Sequence, residues 1–391
     1  MARPELNRPA AFGALVVGAG VNGLATAWHL ARRGVPRVAL VERFRPGHDH
    51  GSSHGHSRIT RSTYGDPLWV RLMQVAHAEE WPRLEADAGE RLLHPTPGLF
   101  FGPPDGPFEQ YAAAVAAVGA DVERLDAEQA RRRFPLFRFD GAAGALADRT
   151  AALVAADTTI RALARRCVVE GVHVLDRTRV TGIGWDARPF AVETDRGSLL
   201  AERLVIAAGP WTRALVPALA PRLTVRRQSI GFFALEAPAE DLRPGAFPVW
   251  VHLGPGANGT RYGLPEFGRQ GVKIGLHEVA GESQDPDAPA APDEPTLARL
   301  REVAEELFAV RVRERLHAET CFYTSTESED FVLDEIPGAS GAVVLSACSG
   351  HGFKFAPLMG RLAAEMVCEG RTTLADFERD RNRFRIRFQS H

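Results

Sequence analysis

The first patterned stretch of the chain is four apolar residues, Ala14 to Val17, then GAGVNG, then LATAWHLARRG with apolar residues at helical spacing. A second short apolar run, VALVE, ends at Glu42. This succession predicts strand, glycine turn, helix and strand. Trp69 to Leu93 carries the period of one long amphipathic helix, and HPTPGLFFGPP reads as a turn into a strand. RLVIAAGPW, Arg203 to Trp211, is another apolar strand ending in small residues. QSIGFFAL, PVWVHL, TRYGLPE and VKIGLH then alternate with period two between turn signals, which predicts an antiparallel sheet. A proline-rich loop, Asp285 to Pro295, leads into the helix TLARLREVAEELF; GAVVLSA returns to strand and a last helix runs from Pro357 to Cys368.

The glycine turn is the first element with a chemistry attached. Gly18 permits the tight turn, Gly20 lets backbone approach a pyrophosphate, and Gly23 lets the helix pack on the strand. The helix start offers free N–H groups and partial positive charge to phosphates. Glu42, about twenty residues on, is placed to accept a hydrogen bond from an adenosine ribose. The motif leaves NAD and FAD both open, so an NAD-dependent dehydrogenase is one reading of it. The expected fold is α/β and α+β, a Rossmann-like nucleotide domain with an inserted, mostly antiparallel β-sheet substrate domain and ligands between the two.

Composition changes this picture little. The chain has 391 residues, of which 45% are hydrophobic and 25% charged, ordinary for a globular protein. A formal net charge of −2 gives no reason to expect nucleic acid or an anionic membrane as partner. No stretch approaches a membrane span, and the N-terminus lacks a signal-peptide pattern, so a cytoplasmic location is expected. Cys167, Cys321, Cys348 and Cys368 stand at irregular positions that suit neither a disulfide framework nor zinc, and are expected as reduced thiols. The loop Gly47 to Asp66 holds His48, His50, His54 and His56; with no carboxylate or cysteine cluster to complete a cage, it reads as a ligand-contacting loop, and no metal is expected. Arg58 and Arg61, three apart, are placed to share one side of a helical turn and face one ligand. Lysine occurs only at Lys273 and Lys354, among 47 Lys and Arg residues.

Together GAGVNG with Glu42, SSHGHSRITRSTYGD, RQSIGFF, RYGLPEFGRQGVKIGLH, CFYT and SGHGFKF resemble the monomeric sarcosine oxidase and N-methyltryptophan oxidase family, FAD-dependent amine oxidases of the D-amino acid oxidase-like superfamily. The resemblance implies an FAD-binding domain from residues 1–91, 150–221 and 322–391, and a substrate domain from 92–149 and 222–321. It implies FAD joined to Cys321 as an 8α-S-cysteinyl link, with neighbouring cations favouring the thiolate. Further flavin contacts are implied at Arg43, Ser57, Arg58, Val180, Gly209, Gly350, Gly352 and Lys354, beside Gly18, Gly20, Gly23 and Glu42. Lys273 matches a lysine over the flavin where oxygen is reduced, and His277, four residues on and on the same strand face, matches a histidine lining the substrate site; both are implied as catalytic, with Arg58. Arg61 and Lys354 match the pair that grips a substrate carboxylate. Tyr262 and Tyr323 match pocket aromatics, and PVWVHL puts Trp250 where family members place a residue facing the substrate. The implied reaction is oxidation of a secondary α-amino acid, N-methyl or cyclic, by hydride transfer to flavin N5. The products are an imine and hydrogen peroxide, and a monomer is expected. The alternative is a related flavoenzyme acting on L-pipecolate, a glycated or biosynthetic amino acid, or using an acceptor other than oxygen.

Overall fold

The structure is a computed structural model, and it describes residues 10–386 apart from 257–258, 279–280 and 290. Residues 1–9 of the N-terminal stretch, which lacks a signal-peptide pattern, and residue 290 of the proline-rich loop therefore lie outside the described residues.

The early apolar runs become the centre of a six-stranded sheet. Its order is His173–Leu175, Val38–Val41, Ala14–Val17, Leu204–Ile206, Ala342–Ser346 and Val332–Glu335; only the last strand runs antiparallel. Because successive side chains face opposite ways, Ala14 and Val16 enter one core and Leu15 and Val17 another. The first core lies under the helices Val21–Arg32, Ala156–Val169 and Ala356–Glu369. At Gly360 a Cβ would lie 2.6 Å from the Cβ of Ala25, so glycine there lets the first and last of these helices touch backbone to backbone. The second core lies against a four-stranded sheet, Ala10–Phe12, Gly197–Ala201, Phe190–Thr194 and Val180–Ile183.

An eight-stranded sheet, mostly antiparallel, stands beside this unit, built from strands within residues 98–148 and 224–325. Its two long strands, Thr224–Leu235 and Val312–Ser325, pair along nearly their whole length. One face is covered by the helix Glu294–Leu307 and by Phe101, Phe137, Phe247 and Phe308, a buried aromatic core. The other face looks toward the six-stranded sheet.

Two local expectations are corrected. The helix read from Trp69 to Leu93 starts earlier, at Pro67, where Asp66 accepts from the backbone N–H of Leu68 as an N-cap. It contains a π-helical turn at Ala76–Glu80 and ends at Ala88, with left-handed Gly89 after it. Arg58 does not lie on a helical turn: Ser57–Thr60 is a strand paired to Ala152–Ala155.

Candidate active site

A cavity of about 1230 Å³ runs between the six-stranded and eight-stranded sheets. At one end lie Gly18, Gly20, Glu42, Arg43, Val180 and Gly209; at the other lie Arg58, Arg61, Tyr262, Lys273, His277, Cys321, Tyr323, Gly350, Gly352 and Lys354, with Ser57.

The first end is built from backbone. Gly18 has φ +102, and a Cβ there would come 2.5 Å from the carbonyl oxygen of Ala207. A Cβ on Gly23 would lie 1.8 Å from the Gly18 oxygen, so Gly23, which does not line the cavity, holds the turn closed from behind. The N-cap residue Gly20 has no side chain to cap the helix; Ser53 Oγ accepts from the Val21 N–H at 3.1 Å, and the helix start keeps its partial positive charge toward the cavity. Glu42, 4% exposed, accepts from the backbone N–H groups of Ala19 at 2.7 Å and Phe44 at 2.8 Å, fixing its carboxylate at the end of its strand. These features suit a dinucleotide's pyrophosphate and ribose. Arg43 and Trp211 close this end, and Asp287 of the proline-rich loop accepts from both, at 2.7 and 2.9 Å.

The histidine-rich loop lies alongside and is not gathered around one point. His48 sits 3.5 Å from Glu42, His50 stacks on Phe44, and His56 pairs with Asp157 at 3.0 Å. His54 lines the cavity, and burial pulls its pKa down to about 4. Among the described residues no three His, Cys, Asp or Glu side chains come together as a metal site.

The second end is built from side chains on sheet faces. Along Val272–Leu276, residues Val272, Ile274 and Leu276 enter the aromatic core while Lys273 faces the cavity, and His277 follows on the same side. Along Val312–Ser325 the alternation brings Glu319, Cys321 and Tyr323 to the cavity. Between Lys273 and His277, Gly275 makes room for Tyr262: a Cβ there would lie 2.5 Å from that ring. The hydroxyl of Tyr323 donates to that of Tyr262 at 3.3 Å.

The same alternation overturns the place expected for Trp250. It is fully buried on the opposite face, edge-on to Phe137 and Phe308, with its ring over Gly263, and Val251 faces the cavity instead. A one-residue difference in register moves a strand residue from one face to the other.

Arg58 donates to the backbone oxygens of Ser57, Ser52 and His54, and its guanidinium lies over Phe353. Arg61 lies over Tyr64, 4.1 Å from the ring centre. Lys354, 6% exposed, donates to the Tyr64 hydroxyl at 3.1 Å and the His351 oxygen at 3.0 Å. Among the described residues neither Arg61 nor Lys354 has a carboxylate partner. Burial, then the Arg61 charge, pushes the Lys354 pKa well down.

Four residues missed in the sequence complete this end: Tyr64, Glu319, Glu329 and His351. Lys354 can only donate, so the Tyr64 hydroxyl accepts from it and has its own hydrogen for Nδ1 of His351, 3.4 Å away. Nε2 of His351 then donates to the backbone oxygen of Glu329 at 3.1 Å. Burial holds His351 far below its usual pKa, consistent with this neutral tautomer. The Glu329 carboxylate accepts from Nε2 of His277 at 2.6 Å. Tyr64 and His351 stand inside STYGD and SGHGFKF; alternation from Cys321 would have found Glu319.

Cys321 is buried, and burial raises its thiol pKa; Arg58 and Lys273 pull it down, but the net shift is upward. The expected cations are present, yet desolvation outweighs them.

A family profile for FAD dependent oxidoreductases matches residues 14–366. Peroxisomal sarcosine oxidase of Mus musculus is 33% identical over 365 residues, spanning 90% of this chain and 91% of that protein. Monomeric sarcosine oxidase of Bacillus sp. (strain B-0618) is 30% identical, spanning 92% and 93%. Among solved structures, NikD, an unusual amino acid oxidase essential for nikkomycin biosynthesis, superposes with TM-score 0.82 at 25% identity, spanning 98% of this chain and 100% of that one. The glycine cradle, the carboxylate at the strand end and these matches agree: the chain belongs to the DAO family of FAD-dependent oxidoreductases.

Proposed function

We propose that the protein oxidises a small secondary α-amino acid, N-methyl or cyclic, with FAD as its cofactor and oxygen as acceptor, as a cytoplasmic monomer. The observation that carries this reading is the pair Arg61 and Lys354, cations at the cavity's second end that lack a carboxylate partner among the described residues and face the same Tyr64 ring. Leaving such cations unpaired is costly, and a substrate carboxylate between them offsets that cost. Holding the amino acid by its carboxylate orients the carbon bearing the amine, and fixed orientation contributes several kcal/mol toward reaction.

The chemistry that FAD supplies when bound is acceptance of a hydride from that carbon and release of the two electrons to oxygen as hydrogen peroxide. Gly18, Gly20 and the helix start would hold its pyrophosphate, Glu42 its ribose, and Cys321 would link its ring through sulfur. The cationic surroundings of the cavity lower the pKa of a bound substrate ammonium, so the amine becomes neutral without a dedicated side-chain base. Lys273, 3% exposed and donating to the Ser57 oxygen at 3.3 Å, would supply a fixed positive charge where electrons pass to oxygen. Relatives include sarcosine oxidases and an N-methyl-L-tryptophan oxidase, which supports an N-substituted amino acid as substrate class.

The test is peroxide release and bleaching of the bound flavin across a panel of N-methyl and cyclic amino acids. Bleaching with peroxide supports the proposal; bleaching that requires an artificial acceptor and yields no peroxide contradicts the oxygen half of it. For the covalent link, acid-denatured protein is expected to retain its flavin and the Cys321→Ser variant to release it. Release from the unaltered protein would remove Cys321 as the attachment point.

A further inference from the structure

Lys273 is buried between sheets beside a second cation, Arg58, an arrangement that favours loss of its proton. One carboxylate offsets this. Glu319 projects into the cavity from the strand Val312–Ser325, separated from that of Lys273 by the strand Thr224–Leu235, two residues before Cys321, and its Oε1 lies 3.5 Å from Nζ of Lys273. The Cβ position of Gly55 is 3.3 Å from that same Oε1 and 3.6 Å from Nη1 of Arg58, so the carboxylate stands beside both cations. The backbone here leaves room for it, since Gly55 has φ +94 and no side chain. Arg58 spends its hydrogen bonds on backbone oxygens and leaves Glu319 to the lysine.

We propose that Glu319 is a positioning residue for Lys273: it keeps the lysine charged and fixed at the flavin-facing side of the cavity, so that the two cations and one carboxylate act together as a single positive charge. Its consequence for oxygen rests on the function proposed above, whereas the charge state itself does not. The groups facing this pair are Arg58 and His54 from the loop and strand beside it, Cys321 from the same strand as Glu319, and His317 and Arg269 at the rim. Burial lowers the Lys273 pKa to about 8 even with Glu319 present, and Lys273 and Arg58 in turn hold the Glu319 carboxyl below its usual range despite its burial. The lysine therefore has little margin at neutral pH.

The scarcity of lysine makes the test direct. Flavin-loaded protein labelled with [ε-13C]lysine should show two lysine signals, Lys273 and Lys354, assigned with the Lys273→Met variant. In the unaltered protein the Lys273 signal should titrate near pH 8. In Glu319→Gln its midpoint should fall by about one unit or more, a tenfold or larger change in proton affinity. Glu319→Asp, which keeps the charge, should restore most of the midpoint. An unchanged midpoint in Glu319→Gln, or the same fall in Glu319→Asp, overturns the proposal. Reoxidation of the reduced protein by oxygen is measured alongside. A midpoint that falls while the reoxidation rate at pH 7.5 stays the same upholds Glu319 as the positioning residue and refutes the oxygen role of Lys273.

Discussion

The two ends of the cavity are made of different materials. At the glycine end the groups that face a ligand are mostly backbone, shaped by Gly18, Gly20 and Gly23 within a few residues of one another, with Glu42 held at the strand end by two backbone N–H groups. At the other end they are side chains, brought together from the strand Ser57–Thr60 and the residues after it, the strands Val272–Leu276 and Val312–Ser325, and the SGHGFKF turn. At Gly18 and Gly23 neighbouring backbone leaves no room for a Cβ, whereas a side-chain site tolerates substitution of shape but not of charge. The first should thus fail as a whole when altered, and the second one function at a time.

The largest effect should come from Gly23→Val. Its side chain would have to occupy the space of the Gly18 oxygen, 1.8 Å from the Cβ position, so the turn cannot close. Purified Gly23→Val should carry no flavin, seen as a colourless protein; a yellow protein with unaltered flavin content would break the contrast. Next in size is Lys354→Ala. It should lower kcat/KM for carboxylate-bearing amines on the order of 10²-fold, through KM, while leaving flavin content intact. Unchanged KM would remove Lys354 from the substrate site.

Lys273→Met should slow reoxidation by oxygen by about tenfold or more while flavin reduction by substrate changes much less. In the unaltered enzyme the reoxidation rate should fall as pH rises through about 8, because the lysine is a cation below its pKa and neutral above it. Equal losses in both half-reactions, or a flat profile across this range, would contradict the role. The smallest expected effect on the chemistry belongs to Trp250→Phe. Its place in the aromatic core predicts a lower Tm, corresponding to about 1–3 kcal/mol, with KM unchanged. A shift in substrate preference with unchanged Tm would return Trp250 to the pocket.

The same contrast governs what could be read from the sequence. The glycine end was legible because its parts are close in sequence and each glycine has a local reason. The side-chain end was legible where a short segment carries its own signature, as with CFYT and SGHGFKF. Trp250 was misplaced because face depends on strand register, which neighbouring strands impose and PVWVHL alone does not declare. Glu319 was missed although it is two residues from Cys321, because its meaning arises only against Lys273 on another strand. The π-helical turn within Pro67–Ala88 was also hidden, since it leaves the helical period of apolar residues nearly intact.

The central claim is that Arg61 and Lys354, which lack a carboxylate partner among the described residues, select a substrate carboxylate. The most direct measurement compares the rate of anaerobic bleaching of the bound flavin by an N-methyl amino acid and by the matching amine that lacks the carboxylate. Bleaching at least about a hundredfold faster with the carboxylate present is the predicted result, a difference of roughly 3 kcal/mol. Equal rates for the two would contradict it.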